Sequence, residues 1–265
     1  MAANLLTGYS LSMPVYRVQL LPDDAFQIIG ATIFGTCFSI GSNFMMTAGH
    51  VIQNLQIDDT HKGVVGIIDP EGTISKGALV METEVLPHDV GVLKVEFTYP
   101  ESEYWFHRLS WSKDTLVGFE AVRCCGYAYG LHRVEDRQSV IQRCFQGHIV
   151  SGLNEFLPLG MDGSPFSVYE LSFQVPRGLS GSPLLTSTGM VVVKGVVIGN
   201  SNYQMRVFHS REVEQETNAT TIIENYESLS LGIAVQPTAM LPLQSSLLND
   251  TIENHLRKVG LLIHG

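Results

Sequence analysis

The residues best suited to chemistry lie in Gly178-Leu179-Ser180-Gly181-Ser182-Pro183, a serine flanked by glycines and followed by the apolar pair Leu184-Leu185. Acyl transfer needs a hydroxyl that stands clear of its backbone and N–H groups aimed at the oxyanion that forms. Glycine on either side permits the tight turn and the close approach of a substrate. The same letters also suit an ordinary turn, so this stretch alone decides nothing. Two other stretches carry the groups such a hydroxyl would need. Thr47-Ala48-Gly49-His50 sets an imidazole just after an apolar strand, and Leu86-Pro87-His88-Asp89-Val90 sets a carboxylate at the mouth of another. Taken singly, His50 reads equally as a core histidine and Asp89 as a strand-end cap. His88 is a competing base, but strand neighbours point to opposite faces, so one of His88 and Asp89 faces away. His50 and Asp89 are 39 residues apart and Asp89 and Ser180 are 91 apart, so only tertiary folding can join them.

The elements that must position these groups are short strands. Val15 to Leu20 alternates, and Ile28 to Ile40 is a long apolar stretch broken by glycines, as suits two paired strands or one bent one. Phe44 to Thr47, Val64 to Ile68, Ala78 to Val85 and Val90 to Phe97 continue the series, with Asp69-Pro70-Glu71-Gly72 as a turn. Trp105 to Lys113 reads as the connection between two halves. The second half holds Ala121 to Gly126, Val140 to Ser151, Tyr169 to Val175, Pro183 to Thr186, Val191 to Ile198 and Leu231 to Val235. Many short strands with turn residues between them indicate an all-β sandwich or pair of barrels. Gln244 to Val259 is the one convincing helix, with Leu247, Leu248, Ile252, His255 and Leu256 on one stripe. Ser201 to Ser230, which contains Glu212, Glu214, Glu216, Glu224 and Glu227, reads as a solvated acidic loop, and loops of that length are often functional.

At 265 residues the chain can bury a sizeable core. A net charge of −10 with Lys and Arg unclustered argues against nucleic acid and anionic membrane surfaces as partners. No window approaches the roughly 18 apolar residues of a spanning helix. The first residues lack the pattern of a secretory signal, so a cytoplasmic protein is expected. Cys37, Cys124, Cys125 and Cys144 show no Cys-x-x-Cys spacing, so reduced buried thiols are expected, with no metal and no cofactor. Asn218-Ala219-Thr220 and Asn249-Asp250-Thr251 fit the glycosylation pattern but mean little without a secretory signal.

Thr-Ala-Gly-His at 47–50, His-Asp-Val-Gly-Val-Leu-Lys-Val at 88–95 and Gly-Leu-Ser-Gly-Ser-Pro at 178–183 resemble the three signature blocks of trypsin-like serine peptidases, in their order. The order His, Asp, Ser also differs from that of α/β-hydrolases. The nearer likeness is to the HtrA-type branch. Cys125 to Leu131, Gly147 to Ser151, Gly195 to Asn200 and Leu231 to Val235 resemble its second-barrel segments, so the likeness runs from about residue 25 to 240. It implies an all-β, chymotrypsin-like fold of two six-stranded antiparallel barrels with a C-terminal helix. The expected boundaries are a tail at 1–12, a first barrel at 13–113 with His50 and Asp89, a second at 114–240 with Ser180, and a helix and tail at 241–265. HtrA-type enzymes usually append a PDZ domain; none is expected here.

The resemblance also implies roles. Ser180 would attack the scissile carbonyl, His50 would take and return its proton, and Asp89 would fix the tautomer of His50. The N–H groups of Gly178 and Ser180 would form the oxyanion hole. Gln174 would lie near the base of the specificity pocket, with Ile198, Gly199 and Asn200 along a wall; lacking an acid there, a neutral residue before the cleaved bond is expected. Leu179 stands where zymogen-activated members carry aspartate, so activation by N-terminal cleavage is not expected. Val51 stands where secreted relatives carry cysteine, which fits a reducing compartment. The expected function is a serine endopeptidase acting on proteins or peptides. It would be latent until the 201–230 loop or a regulatory protein partner orders the oxyanion hole. A double-barrel binding or scaffold module without turnover, and an esterase, are the alternatives.

Overall fold

In the computed structural model, residues 11–20, 26–27, 33–58, 61–68, 74–97, 108–128, 131–134, 137–157, 164–213 and 220–263 are described. The turn expected at Asp69–Gly72, Ile28–Thr32, Trp105–His107, Asn218 and nearly all of the expected 1–12 tail lie outside them.

The first sheet is built from β1 (Met13–Leu20), β2 (Phe26–Gln27), β3 (Ile33–Ser39), β4 (Phe44–Ala48), β5 (His61–Ile68), β6 (Ile74–Leu86) and β7 (Val90–Phe97). Its order is β2-β1-β3-β4-β7-β6-β5, and β1 pairs again with β5, so six antiparallel strands close into a barrel with β2 at its edge. Val15, Cys37, Phe38, Met45, Met46, Val65, Ala78, Val92 and Val95 are buried in it. Such side chains each contribute about 1.5–3 kcal/mol when fully buried. A seven-residue helix, α1 (Gly49–Leu55), follows β4, and its buried side is Gly49, Val51 and Leu55.

The second sheet contains β8 (Ser110–Trp111), β9 (Ala121–Gly126), β12 (Arg143–Phe156), β13 (Phe166–Leu171), β14 (Pro183–Thr186), β15 (Val192–Val213) and β16 (Thr220–Val235). A hairpin of β10 (Leu131–Val134) and β11 (Arg137–Val140) stands beside it. The order β14-β9-β12-β13-β16-β15 is closed by β14 pairing with β15, and β8 joins β15 in parallel. The fold is therefore all-β and chymotrypsin-like, as the resemblance implies. One hydrophobic cluster runs from Phe38 and Met46 in the first sheet through Trp111 to Val193, Val196 and Val235 in the second. Trp111 is fully buried, and its ring lies 5.7 Å from that of Phe38.

Three expectations are corrected. Ser201–Ser230 is not a solvated loop where it is described: Ser201–Val213 of β15 and Thr220–Ser230 of β16 pair continuously as a long ribbon. Tyr203, Met205 and Val207 stand at every second residue of β15, an apolar period that the many charged residues of the segment outweigh in the sequence. The helix expected over Gln244–Val259 is only α3 (Ile252–Lys258); α2 (Pro237–Met240) and the short strands β17 (Gln244–Ser245) and β18 (Asp250–Thr251) precede it. The reason is local. Glu84 accepts from the Ser245 and Ser246 hydroxyls and from the Ser246 and Leu247 N–H groups, which holds that segment out of a helix. Thr251 then caps α3 by accepting from Asn254 N–H at 3.2 Å. Finally, Cys125 and Cys144 are not separate thiols. They are direct cross-strand partners in β9 and β12 and form a disulfide, while Cys37 and Cys124 are free and buried. Among the described residues no helix is long and apolar enough to cross a membrane.

Candidate active site

His50 sits where β4 ends and α1 begins. Buried Thr47 and Ala48 anchor the strand, while Gly49 and Val51 face inward, so the imidazole is left half-buried at the surface, 32% exposed. Gly49 is required by close approach: a Cβ there would lie 3.0 Å from Val85 and 3.1 Å from a carboxylate oxygen of Asp89.

Asp89 ends a single 3-10 turn, Pro87–Asp89, between β6 and β7. Both His88 and Asp89 adopt positive φ, 66° and 57°, a conformation that costs an L-residue about 1–2 kcal/mol. The turn aims the two side chains apart. The His88 ring packs on Phe166 at 4.5 Å, and burial lowers its pKa. The Asp89 carboxylate, 6% exposed, turns to His50 instead. One oxygen accepts from the His50 backbone N–H at 2.7 Å, and the other meets ring Nδ1 at 2.7 Å. A carboxylate oxygen accepts, so Nδ1 is the donor of that pair, and in the neutral ring Nε2 is then the acceptor.

Ser180 lies in a turn pinned from several sides. Leu179 is fully buried, its N–H donates to Pro176 C=O at 3.0 Å, and Gly181 N–H donates to Val197 C=O at 2.7 Å. Gly178 has φ +93°, which glycine alone adopts without cost. Thr36, a buried polar residue of β3, ties this turn to the first barrel. Its N–H donates to Ser180 C=O at 2.8 Å, and its hydroxyl donates to Gly178 C=O at 2.8 Å. Tyr127 N–H donates to that same hydroxyl at 3.1 Å, and Thr47 Oγ1 donates to Thr36 C=O at 2.7 Å. Sequence reasoning missed Thr36; a lone threonine inside the apolar run Ile33–Ile40 was its signal.

These bonds press the serine turn against the strand end that carries His50. A Cβ on Gly181 would lie 3.0 Å from Ala48 N, and one on Gly35 would meet Val51 and stand 2.9 Å from Ser180 O. Among the described residues, the N–H groups of Gly178 and Ser180 donate to no backbone carbonyl. The Ser180 hydroxyl itself donates to Ile198 C=O at 3.3 Å rather than to His50. A register shift between Val197 and Gly199 makes Ile198 a bulge on β15. Of the other expected pocket residues, Gly199 is half-buried, and Asn200 is exposed and bonded to Val175. Gln174 is exposed, whereas Val175 beside it is buried. Burial pushes the Cys37 and Cys124 thiols well up, which suppresses the thiolate a nucleophile would need.

The trypsin-like peptidase domain family matches residues 35–192, a span that holds His50, Asp89 and Ser180. Two solved structures agree in fold at low identity. The HtrA-type protease AlgW with a decapeptide aligns at TM-score 0.53 and 13% identity over 87% of this chain and 62% of its own length. Deg5 aligns at TM-score 0.50 and 20% identity over 72% of this chain and 80% of its own. An inactive serine-to-alanine mutant of Rv3671c from M. tuberculosis H37Rv aligns at TM-score 0.49 and 18% identity, covering 97% and 91%. No curated protein matches the chain by sequence at a significant level.

Proposed function

We infer the reaction from one fact: this chain belongs to the trypsin-like peptidase domain family and is a serine endopeptidase, whose substrates are proteins and peptides. Ser180 is the nucleophile, His50 the general base and acid, and Asp89 the group that orients His50 and stabilises its imidazolium. The observation that carries this reading is the paired grip of Asp89 on the backbone N–H and ring Nδ1 of His50, each at 2.7 Å.

Ser180 Oγ attacks the scissile carbonyl while His50 Nε2 takes its proton, and the imidazolium is stabilised by the Asp89 carboxylate. The carbonyl oxygen becomes an oxyanion facing the N–H groups of Gly178 and Ser180, each such donor contributing about 2.7–4 kcal/mol. Collapse expels the amine, which leaves with the proton from His50, and an acyl-enzyme on Ser180 remains. Water, deprotonated by His50, then releases the acid and restores the hydroxyl.

The Ser180 hydroxyl donates to Ile198 C=O at 3.3 Å, so it must leave that acceptor before His50 takes its proton. The finer reading is a latent enzyme whose oxyanion hole is ordered by the 201–230 segment, which is described as the β15–β16 ribbon, or by a protein partner bound to it. Deleting the ribbon tests that part: unchanged activity and folding eliminate it. Cytoplasm is the location that goes with the reading, and the Cys125–Cys144 bond stands against it, because such bonds persist in oxidising compartments; fractionation of tagged protein decides. The central test is a fluorophosphonate probe, which should label wild type at Ser180 and fail on Ser180→Ala. Absence of labelling in every condition would leave a double-barrel scaffold. A peptide library beside an ester panel separates the peptidase from an esterase.

A further inference from the structure

Where the β15–β16 ribbon leaves the second barrel, a cleft of about 640 Å³ opens at its root, a volume within the range of ligand sites. Leu153 and Phe156 at the end of β12, with Leu157 just beyond it, form an apolar wall. Glu155, Ser201 and Tyr203 supply the polar groups.

The hydroxyl hydrogens around this cleft all point toward one buried acid. Tyr203 reaches from β15 across β16 to β13, where its phenol donates to one carboxylate oxygen of Glu170. The Ser151 hydroxyl, on the residue opposite Glu170 in β12, donates to the other oxygen. Burial and the Glu170 bond raise the Tyr203 pKa, so the phenol keeps its hydrogen. With that hydrogen spent on Glu170, Ser201 is the donor in its own bond to the Tyr203 oxygen. Glu170 is 6% exposed, and among the described residues these hydroxyls hold it without a cation.

The cleft therefore presents acceptors: the oxygens of Ser201 and Tyr203 and the exposed carboxylate of Glu155. Such a lining repels an anion and holds a cation. A cation at the Tyr203 oxygen also stands one hydroxyl away from Glu170 and offsets a charge otherwise buried unpaired. The apolar wall calls for a hydrocarbon stem behind that cation, which lysine and arginine side chains carry.

The cleft lies on the strand that touches the serine. Ser201 and Tyr203 share one face of β15, three and five residues beyond Ile198, whose C=O accepts from the Ser180 hydroxyl. At about 3.3 Å per residue these spans are about 10 and 17 Å, the reach of three to five residues of extended peptide.

We propose that this cleft is a second recognition site, which takes a lysine or arginine side chain of the substrate three to five residues away from the cleaved bond. This rests on the peptidase reading above.

The test uses the full chain and internally quenched peptides in which one position at a time carries Lys, Arg, norleucine or Glu. Norleucine keeps the lysine stem without the charge and serves as the reference. Rates are normalised to sites counted by fluorophosphonate labelling, and folding is checked by thermal melting. At a position three to five residues from the cleaved bond, Lys or Arg should raise kcat/KM over norleucine by about tenfold. Tyr203→Phe and Glu155→Gln should each shrink that ratio, and the exposed Glu155 serves if the Tyr203 variant does not fold. The site is overturned if Lys and Arg match norleucine or Glu at all of those positions. It is equally overturned if the folded variants slow every peptide by one factor with the ratio unchanged, the result of a purely structural role. A wild type that neither labels nor cleaves overturns the peptidase reading instead. The cleft is then judged by fluorescence anisotropy of the same peptides on Ser180→Ala protein: tighter binding of Lys than of norleucine, lost in Glu155→Gln, upholds it, and equal binding overturns it.

Discussion

The backbone N–H of Thr36 donates to the carbonyl of Ser180 at 2.8 Å, binding the middle of a first-barrel strand to the proposed nucleophile of the second. The Thr36 hydroxyl extends the contact to Gly178 C=O, so the residue proposed as an oxyanion donor is also held from the opposite sheet. The two barrels are thus coupled at the residue where the chemistry is placed, and the first consequence concerns Thr36.

Thr36→Val keeps the shape and removes the hydroxyl that serves Gly178 C=O and Tyr127 N–H. Stability should fall by about 1–3 kcal/mol. If the hydroxyl also orders the oxyanion donors, kcat should drop by about tenfold or more while KM changes little, and Thr36→Ser should restore it. Denaturant melts and steady-state kinetics on the three proteins read this; a stability loss with kcat intact would confine Thr36 to a structural role.

Asp89→Asn preserves size but removes the anion that fixes the His50 tautomer. A loss of about 10⁴-fold in kcat follows, as in other triads altered this way, with the fold retained. Circular dichroism beside peptide hydrolysis checks it. Near-normal turnover would remove Asp89 from the mechanism.

His255 of α3 is buried, its Nε2 meets Ile40 C=O at 3.0 Å, and its ring stands edge-on to Phe44. Burial lowers its pKa below 6.5, aided by Lys258 and opposed by the Ile40 bond and Asp250. The folded state therefore disfavours the proton that the unfolded chain accepts. This contribution to stability is full above the ordinary value of 6.5 and is lost as pH falls through the lowered folded value. Wild type should lose more stability than His255→Gln between pH 7.5 and 5, measured by urea melts; equal losses would contradict it.

Cys125 and Cys144 enclose a separation of 19 residues. Alkylation of unfolded protein without reductant should modify Cys37 and Cys124 alone, and with reductant all four, read by mass spectrometry. Breaking the bond should cost about 3 kcal/mol. Alkylation of all four cysteines before reduction would mean that the pair is not joined.

The catalytic blocks were legible because the chemistry dictates residue types over short spans. A carboxylate at a strand mouth, an imidazole after a strand and a serine between glycines are local demands written in adjacent letters. The strands were legible for a similar reason, since alternating burial leaves a period of two. The ribbon was lost because its charged residues obscured that period. The length of α3 was lost because the Ser245–Leu247 segment is held by Glu84, some 160 positions away.

By itself the sequence determined the strand-rich architecture, the order of the blocks and the candidates His50, Asp89, Gly178 and Ser180, because these depend on local periodicity and residue chemistry. Only the tertiary structure decided that Asp89 and not His88 turns to His50, that Cys125 faces Cys144, and that Asn200 spans to Val175. Each depends on strand register and turn dihedrals, and register is set by which distant segments close each barrel, a property no short window of sequence contains.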